Sequence, residues 1–131
     1  MFARKKQPPI RSLLAHGSQI RGDFTFVDGL RIDGEVVGNI RAQGGSPSIL
    51  VISESARVIG EVWADHVIVN GRVDGPVNAA VLLELQPKAR IEGNVQYKAL
   101  EMHQGAVITG QLRPMLPGDE KTALKLASNN G

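Results

Sequence analysis

A thirteen-residue unit, L-x-L-x-x-x-A-x-I-x-G-x-V, occurs three times with nothing out of register. It spans 50 to 62 (Leu50, Ile52, Ala56, Val58, Gly60, Val62), 83 to 95 (Leu83, Leu85, Ala89, Ile91, Gly93, Val95) and 100 to 112 (Leu100, Met102, Ala106, Ile108, Gly110, Leu112). A tighter unit appears twice, as Leu30, Ile32, Gly34, Val36, Gly38, Ile40 and as Val67, Val69, Gly71, Val73, Gly75, Val77. A degenerate long unit precedes both, from Ser12 through Leu14, Ser18, Ile20, Gly22 and Phe24. Unit starts at 12, 30, 50, 67, 83 and 100 give steps of 18, 20, 17, 16 and 17 residues.

Within each unit the apolar residues fall at spacing two, which is strand periodicity, with mostly polar or charged residues between them. Glycine shares the apolar parity, so it is expected to face inward where the chain bends or another backbone comes close. A step near seventeen residues is too short for a βαβ crossover and too long for a hairpin; it divides into three short strands. The expected fold is all-β: a single-domain parallel β-helix of about six coils. At ~4.8 Å per coil the rod is roughly 29 Å long. The longest step holds Arg41 to Ser48, rich in Gly and Pro, read as a bulging corner. The chain divides into a flexible basic arm at 1–11, the β-helix at 12–113 and a flexible tail at 114–131. Within that tail Lys121 to Ala127 offers a turn or two of marginal helix.

Composition narrows the function classes. Aromatics are only 4% of the 131 residues and Gly reaches 15, which suits thin repetitive β structure. The absence of Cys excludes disulfides and thiolate metal sites and fits a reducing cytosol. No apolar run reaches the ~20 residues of a membrane-spanning helix, so a cytosolic protein is expected. Residues 1 to 21 carry Arg4, Lys5, Lys6, Arg11 and Arg21 with no acidic residue, whereas the remainder is net negative. Without a basic stripe on the rod or an aromatic stacking platform, no nucleic-acid partner is expected.

The stretches L-R-I-D-G-E-V-V-G-N-I at 30 to 40 and A-R-V-I-G-E-V-W-A-D-H-V-I-V-N-G-R-V-D-G-P-V at 56 to 77, with the two L-x-L-x3-A units that follow, resemble the bactofilin family. The resemblance covers about 12 to 112 and includes the order of long and tight units. It implies a right-handed triangular β-helix that polymerises end to end, without nucleotide, into non-polar filaments. It further implies a scaffold at the inner face of the cytoplasmic membrane that organises cell shape or polar structures and recruits cell-wall synthesis or hydrolysis enzymes. The start of the chain, Met1, Phe2, Ala3, Arg4, Lys5, Lys6, is similar to the family's membrane-targeting peptide. Charge supports the same reading, since each basic residue near anionic lipid contributes about 1 kcal/mol while Phe2 enters the interface. A solvated basic tail is the competing reading.

A β-helix has two open ends, each with unpaired strand edges and an apolar cross-section. Neither flank carries a convincing amphipathic helix to cap one, so self-stacking into a homopolymer is expected. Candidate contact residues are Ile20, Phe24, Phe26 and Val27 in the first coil and Met102, Val107, Ile108 and Leu112 in the last. The enzymatic competitor is a left-handed hexapeptide β-helix, an acyltransferase or a zinc carbonic anhydrase. Strict six-residue periodicity is lacking, and His16, His66 and His103 occupy unequal places in their coils, so no metal site or cofactor is expected. No nucleophile–base pair and no phosphate loop stand out, which leaves no catalytic candidate. A monomeric β-helix adaptor is the second non-enzymatic alternative.

Overall fold

The computed structural model describes residues 9–45 and 47–115, and among these there are only strands, turns and bends. The fifteen strands group as three per coil. The first coil holds β1 (Ile10–Leu14), β2 (Gln19–Arg21) and β3 (Phe24–Phe26); the second holds β4 (Gly29–Ile32), β5 (Glu35–Val37) and β6 (Ile40–Ala42). The third runs from β7 (Ile49–Ile52) through β8 (Arg57–Ile59) into β9 (Val62–Val69). From there β9, β11 (Val77–Leu85) and β13 (Val95–Met102) each bend through a corner and serve two coils, with β10 (Arg72–Asp74), β12 (Arg90–Glu92), β14 (Val107–Thr109) and β15 (Leu112–Pro114) completing the fourth to sixth. All strand pairs are parallel. Three faces result, and the expected solenoid of six coils is what the chain forms. Face 1 contains β1, β4 and β7 followed by the second halves of β9, β11 and β13. Face 2 is β2-β5-β8-β10-β12-β14, and face 3 starts with β3 and β6 and ends with β15.

Register turns the spacing-two pattern into continuous inward columns. Leu14, Ile32, Ile52, Val69, Leu85 and Met102 stand one above another on face 1, as do Ile20, Val36, Val58, Val73, Ile91 and Ile108 on face 2. Their middle members are fully buried, each side chain contributing about 1.5–3 kcal/mol of apolar transfer energy. On face 3 the column narrows to Ala42, Ala64 and Ala79, and larger rings stand at its extremes: Phe26 opposite Ala42, Tyr97 opposite Ala79. Phe26 keeps only 7% of its surface and belongs to the core. The long step is taken by the segment between β6 and β7, whose last residue is pinned. Ser48 is 1% exposed, donates its backbone N–H to Asp65 at 3.0 Å and accepts the Asp65 N–H on its hydroxyl at 3.0 Å. Ile10 and Arg11, assigned with the arm because of charge, lie in β1, where Arg11 pairs with Asp28 at 2.8 Å.

The corner between faces 2 and 3 is built on one glycine per coil: Gly22, Gly38, Gly60, Gly75, Gly93 and Gly110. All have positive φ, from +127° to +154°. A Cβ on any of the last five would collide with the carbonyl of the glycine one coil earlier, whereas at Gly22 it would meet nothing. These glycines therefore present their missing Cβ along the rod, not inward, because the positive φ rotates that position toward the preceding coil. A side-chain ladder runs beside them. Asp23 Oδ1 accepts the Asn39 N–H at 2.9 Å, Asn39 Oδ1 accepts that of Glu61 at 2.8 Å, and Asn94 Oδ1 accepts that of Gln111 at 3.0 Å.

Two substitutions separate backbone strain from coil collision. Gly22→Ala, which meets only the strained φ, should cost about 1–3 kcal/mol. Gly75→Ala adds a clash with the Gly60 carbonyl and should cost more than about 3 kcal/mol, read from urea unfolding.

Candidate assembly interface at the rod ends

In the first coil β1, β2 and β3 each pair on one side only, with β4, β5 and β6. In the last, β14 and β15 pair only with β12 and β13, and the second half of β13 only with β11. Each end thus shows three open strand edges among the described residues, with backbone groups aimed along the rod axis. Among the described residues no further coil covers the inward columns there. Exposure rises accordingly, from 0% at Val73 and Leu85 to 46% at Met102 and 45% at Leu112.

The structure gathers some expected contact residues and separates others. Ile20 and Phe24 project inward at the first end, both half-buried. Met102, Ile108 and Leu112 project inward at the last, joined by Leu100, which the sequence reading passed over because it resembles every other column member. Three candidates lie elsewhere. Phe26 is enclosed in the core, so little of its ring is free for a partner. Val27 is 50% exposed at the corner leading into the second coil. Val107, 44% exposed, has the parity opposite to Ile108 and continues the outward column Arg57, Arg72, Arg90 on face 2. Spacing gives Phe26 the inward parity of Phe24, whereas Val27 and Val107 have the opposite parity and qualify only as apolar and terminal. The arm residues Met1, Phe2, Arg4, Lys5 and Lys6, and the helix-prone Lys121 to Ala127, lie outside the described residues.

The lateral faces are largely occupied with internal contacts. On face 2, Asp74 takes Arg72 at 3.0 Å and Arg57 at 3.3 Å, and Arg72 also reaches Glu92 at 3.0 Å. These pairs are solvent-exposed and worth a few tenths of a kcal/mol each. On face 3, Arg41 lies 5.1 Å from the Trp63 ring centroid, and Glu61 accepts both the Trp63 indole N–H at 2.8 Å and the Asn78 amide at 3.0 Å. On face 1, Glu84, Glu101 and His103 each offer one ligand atom, all within 4.8 Å of one another, and His103 Nε2 is 3.4 Å from Glu84. This group could hold a metal ion, and an inventory of histidines alone missed it. Laying consecutive units over each other would have found it, since Glu84 and Glu101 share a register position. The three histidines themselves do not converge: His16 sits in the first coil, His66 in the fourth and His103 in the sixth.

The bactofilin family model, described as polymer-forming cytoskeletal, matches residues 12–113. The chain belongs to the bactofilin family. No curated protein and no solved structure matched it. Bactofilins are polymer-forming cytoskeletal proteins.

One carboxylate near the first end carries a pH signature. A hydrogen bond from Ser53 holds the Asp33 carboxyl below its usual value; partial burial opposes the shift, and Arg31, 3.0 Å away, reinforces it. Stability from Asp33 is therefore complete above its unfolded value of about 4 and is lost as pH falls through the lower folded value. Asp33→Asn should melt below the parent at neutral pH and converge with it as pH falls below about 4, with a flatter pH dependence in thermal scans.

Proposed function

We propose that this bactofilin is a non-enzymatic scaffold whose rods join end to end, without nucleotide, into non-polar filaments. The observation that carries this reading is the coincidence, at both ends, of open strand edges with an apolar cross-section. Either feature alone is satisfied by water or by a loop. Together they favour another rod, because one stacking event pairs the backbone groups and buries the column ends. An end face with edges near 20 Å falls below the roughly 1,000 Å² of a typical specific interface, so strand pairing has to supply what area does not. Non-polar filaments require like ends to meet.

The filament lies at the inner face of the cytoplasmic membrane, held by the arm. One copy of Phe2, Arg4, Lys5 and Lys6 binds anionic lipid weakly, whereas a filament displays many copies and gains by multivalency. So held, the polymer organises cell shape or a cell pole and gathers cell-wall synthesis or hydrolysis enzymes.

Phe24→Arg and Ile108→Arg each place a charge at one end. Both should keep the β signature in circular dichroism while shortening or abolishing polymers in negative stain and sedimentation. Unchanged filaments would remove these residues from the junction, and a parent chain that sediments as a monomer would favour the adaptor instead. Deleting residues 2 to 7 should release the protein from anionic vesicles and spare polymerisation; undiminished lipid binding would sink the arm's assignment.

A further inference from the structure

We infer that the membrane contact extends from the arm onto the rod itself, through an outward apolar wedge of the first coil formed by Ile10, Leu13 and Val27; this rests on the arm binding lipid. These are among the most exposed large apolar side chains of the described residues, at 46%, 59% and 50%. Their position differs from that of Met102 and Leu112, whose exposure comes from standing at the end of an inward column. In β1 the inward positions are Ser12 and Leu14, opposite Leu30 and Ile32. Leu13 alternates with them, stands opposite the exposed Arg31, and points away from the rod on face 1. Stacking a second rod on the first end leaves it uncovered. Ile10 stands opposite Gly29, two residues beyond Val27, and the Arg11–Asp28 ion pair ties the two segments together. Ile10 and Val27 flank the corner between faces 3 and 1, and Leu13 stands three residues further along β1 on the same face.

What covers this wedge is indicated by where the rest of the chain begins. Arg4, Lys5 and Lys6 lie only four to six residues upstream of Ile10, within ~20 Å of extended chain. A surface that attracts the arm is therefore brought against the wedge. An anionic bilayer meets both demands, taking basic side chains at its headgroups and aliphatic ones just beneath. Outward along face 1 the register position of Leu13 continues as Arg31, Val51, Ile68, Glu84 and Glu101. Beyond Arg31, a cation suited to anionic headgroups, stand the half-buried Val51 and Ile68, and the two carboxylates mark where an anionic surface would be repelled. Face 3 is the weaker candidate despite Trp63. Its indole N–H and ring are already engaged by Glu61 and Arg41, and the hollow beside it is rimmed by Asp23 and Glu61.

The chain has no Cys, so single-site labelling is clean. Leu13→Cys and, as a control on face 2, Val107→Cys in the full chain would carry an environment-sensitive fluorophore. Emission is recorded before and after adding vesicles of phosphatidylglycerol and phosphatidylcholine, or of phosphatidylcholine alone. Expected is a blue shift with at least about twofold brightening at position 13, with anionic vesicles only, and none at 107. No change at 13 while the protein co-sediments with vesicles overturns the wedge and leaves the arm's assignment standing. No co-sedimentation overturns both. A signal at 13 already shifted before lipid and unmoved by it assigns the wedge to contact between copies, and equal changes at 13 and 107 deny any preferred face; either overturns the inference. The pair Ile10→Ser and Leu13→Ser should weaken vesicle binding about tenfold with sedimentation of the polymer unchanged, and loss of the polymer instead would also overturn it.

Discussion

The stack depends on the close approach of backbone to backbone at the glycine corner between faces 2 and 3. There the carbonyl of each corner glycine occupies the space that a Cβ on the next would need, from Gly22 and Gly38 through Gly93 and Gly110. Such contact keeps adjacent coils at strand-pairing distance through a bend, where side chains would otherwise hold them apart. Everything else in the rod presumes it. The inward columns remain vertical only if no coil slips against its neighbour, and a slip of one residue would send the buried Val and Ile to solvent.

The ladder beside that corner shows how local chemistry is redistributed when one rung is missing. Asp23, Asn39 and Asn94 each present an oxygen to the backbone N–H of the next coil. In the fourth coil the corresponding residue is Pro76, which has no N–H to donate. Glu61, which stands below it, is released from the ladder and instead accepts from Trp63 and Asn78. A backbone requirement removed by proline becomes a side-chain cluster on face 3. The lone Trp of the chain is thus held by a structural rearrangement, which argues that its rigidity serves the rod.

Much of this was legible because the repeat reports directly on parity. Leu50, Ile52, Val58 and Val62 share one parity and each is buried as that parity requires, whereas the intervening Val51 and Ile59 are only half-buried. The glycines were legible as corners but not in their direction, since sequence shows that a Cβ is absent and not which way it would have pointed. Terminal residues were harder. Phe26 lies on the inward parity of the outermost coil, and only the small Ala42, Ala64 and Ala79 of its column leave room for the ring to sink inside. Val27 and Val107 are apolar for reasons that column membership does not supply. Ile10 and Arg11 read as arm because charge dominates that stretch, yet pairing with the second coil makes them strand. The grouping of Glu84, Glu101 and His103 needed register across two coils, which no single unit contains.

The two ends are not chemically equivalent, and this bears on any filament in which like ends meet. In the last coil the inward positions Leu100, Met102, Ala106, Ile108 and Leu112 are all apolar, so joining two such ends is a dehydration event with strand pairing added. In the first coil Ser12 and Ser18 take the places held elsewhere by Leu and Ala, beside Leu14, Ile20 and Phe24. A hydroxyl buried at a junction without a partner costs about 1–3 kcal/mol, so the first-coil junction has to hydrogen-bond these serines or leave them wet. Along a non-polar filament, dry and wetter junctions would then alternate. In the proposed filament the weaker one falls beside the arms of two neighbouring rods, where lipid anchoring would hold the partners together and raise their effective concentration.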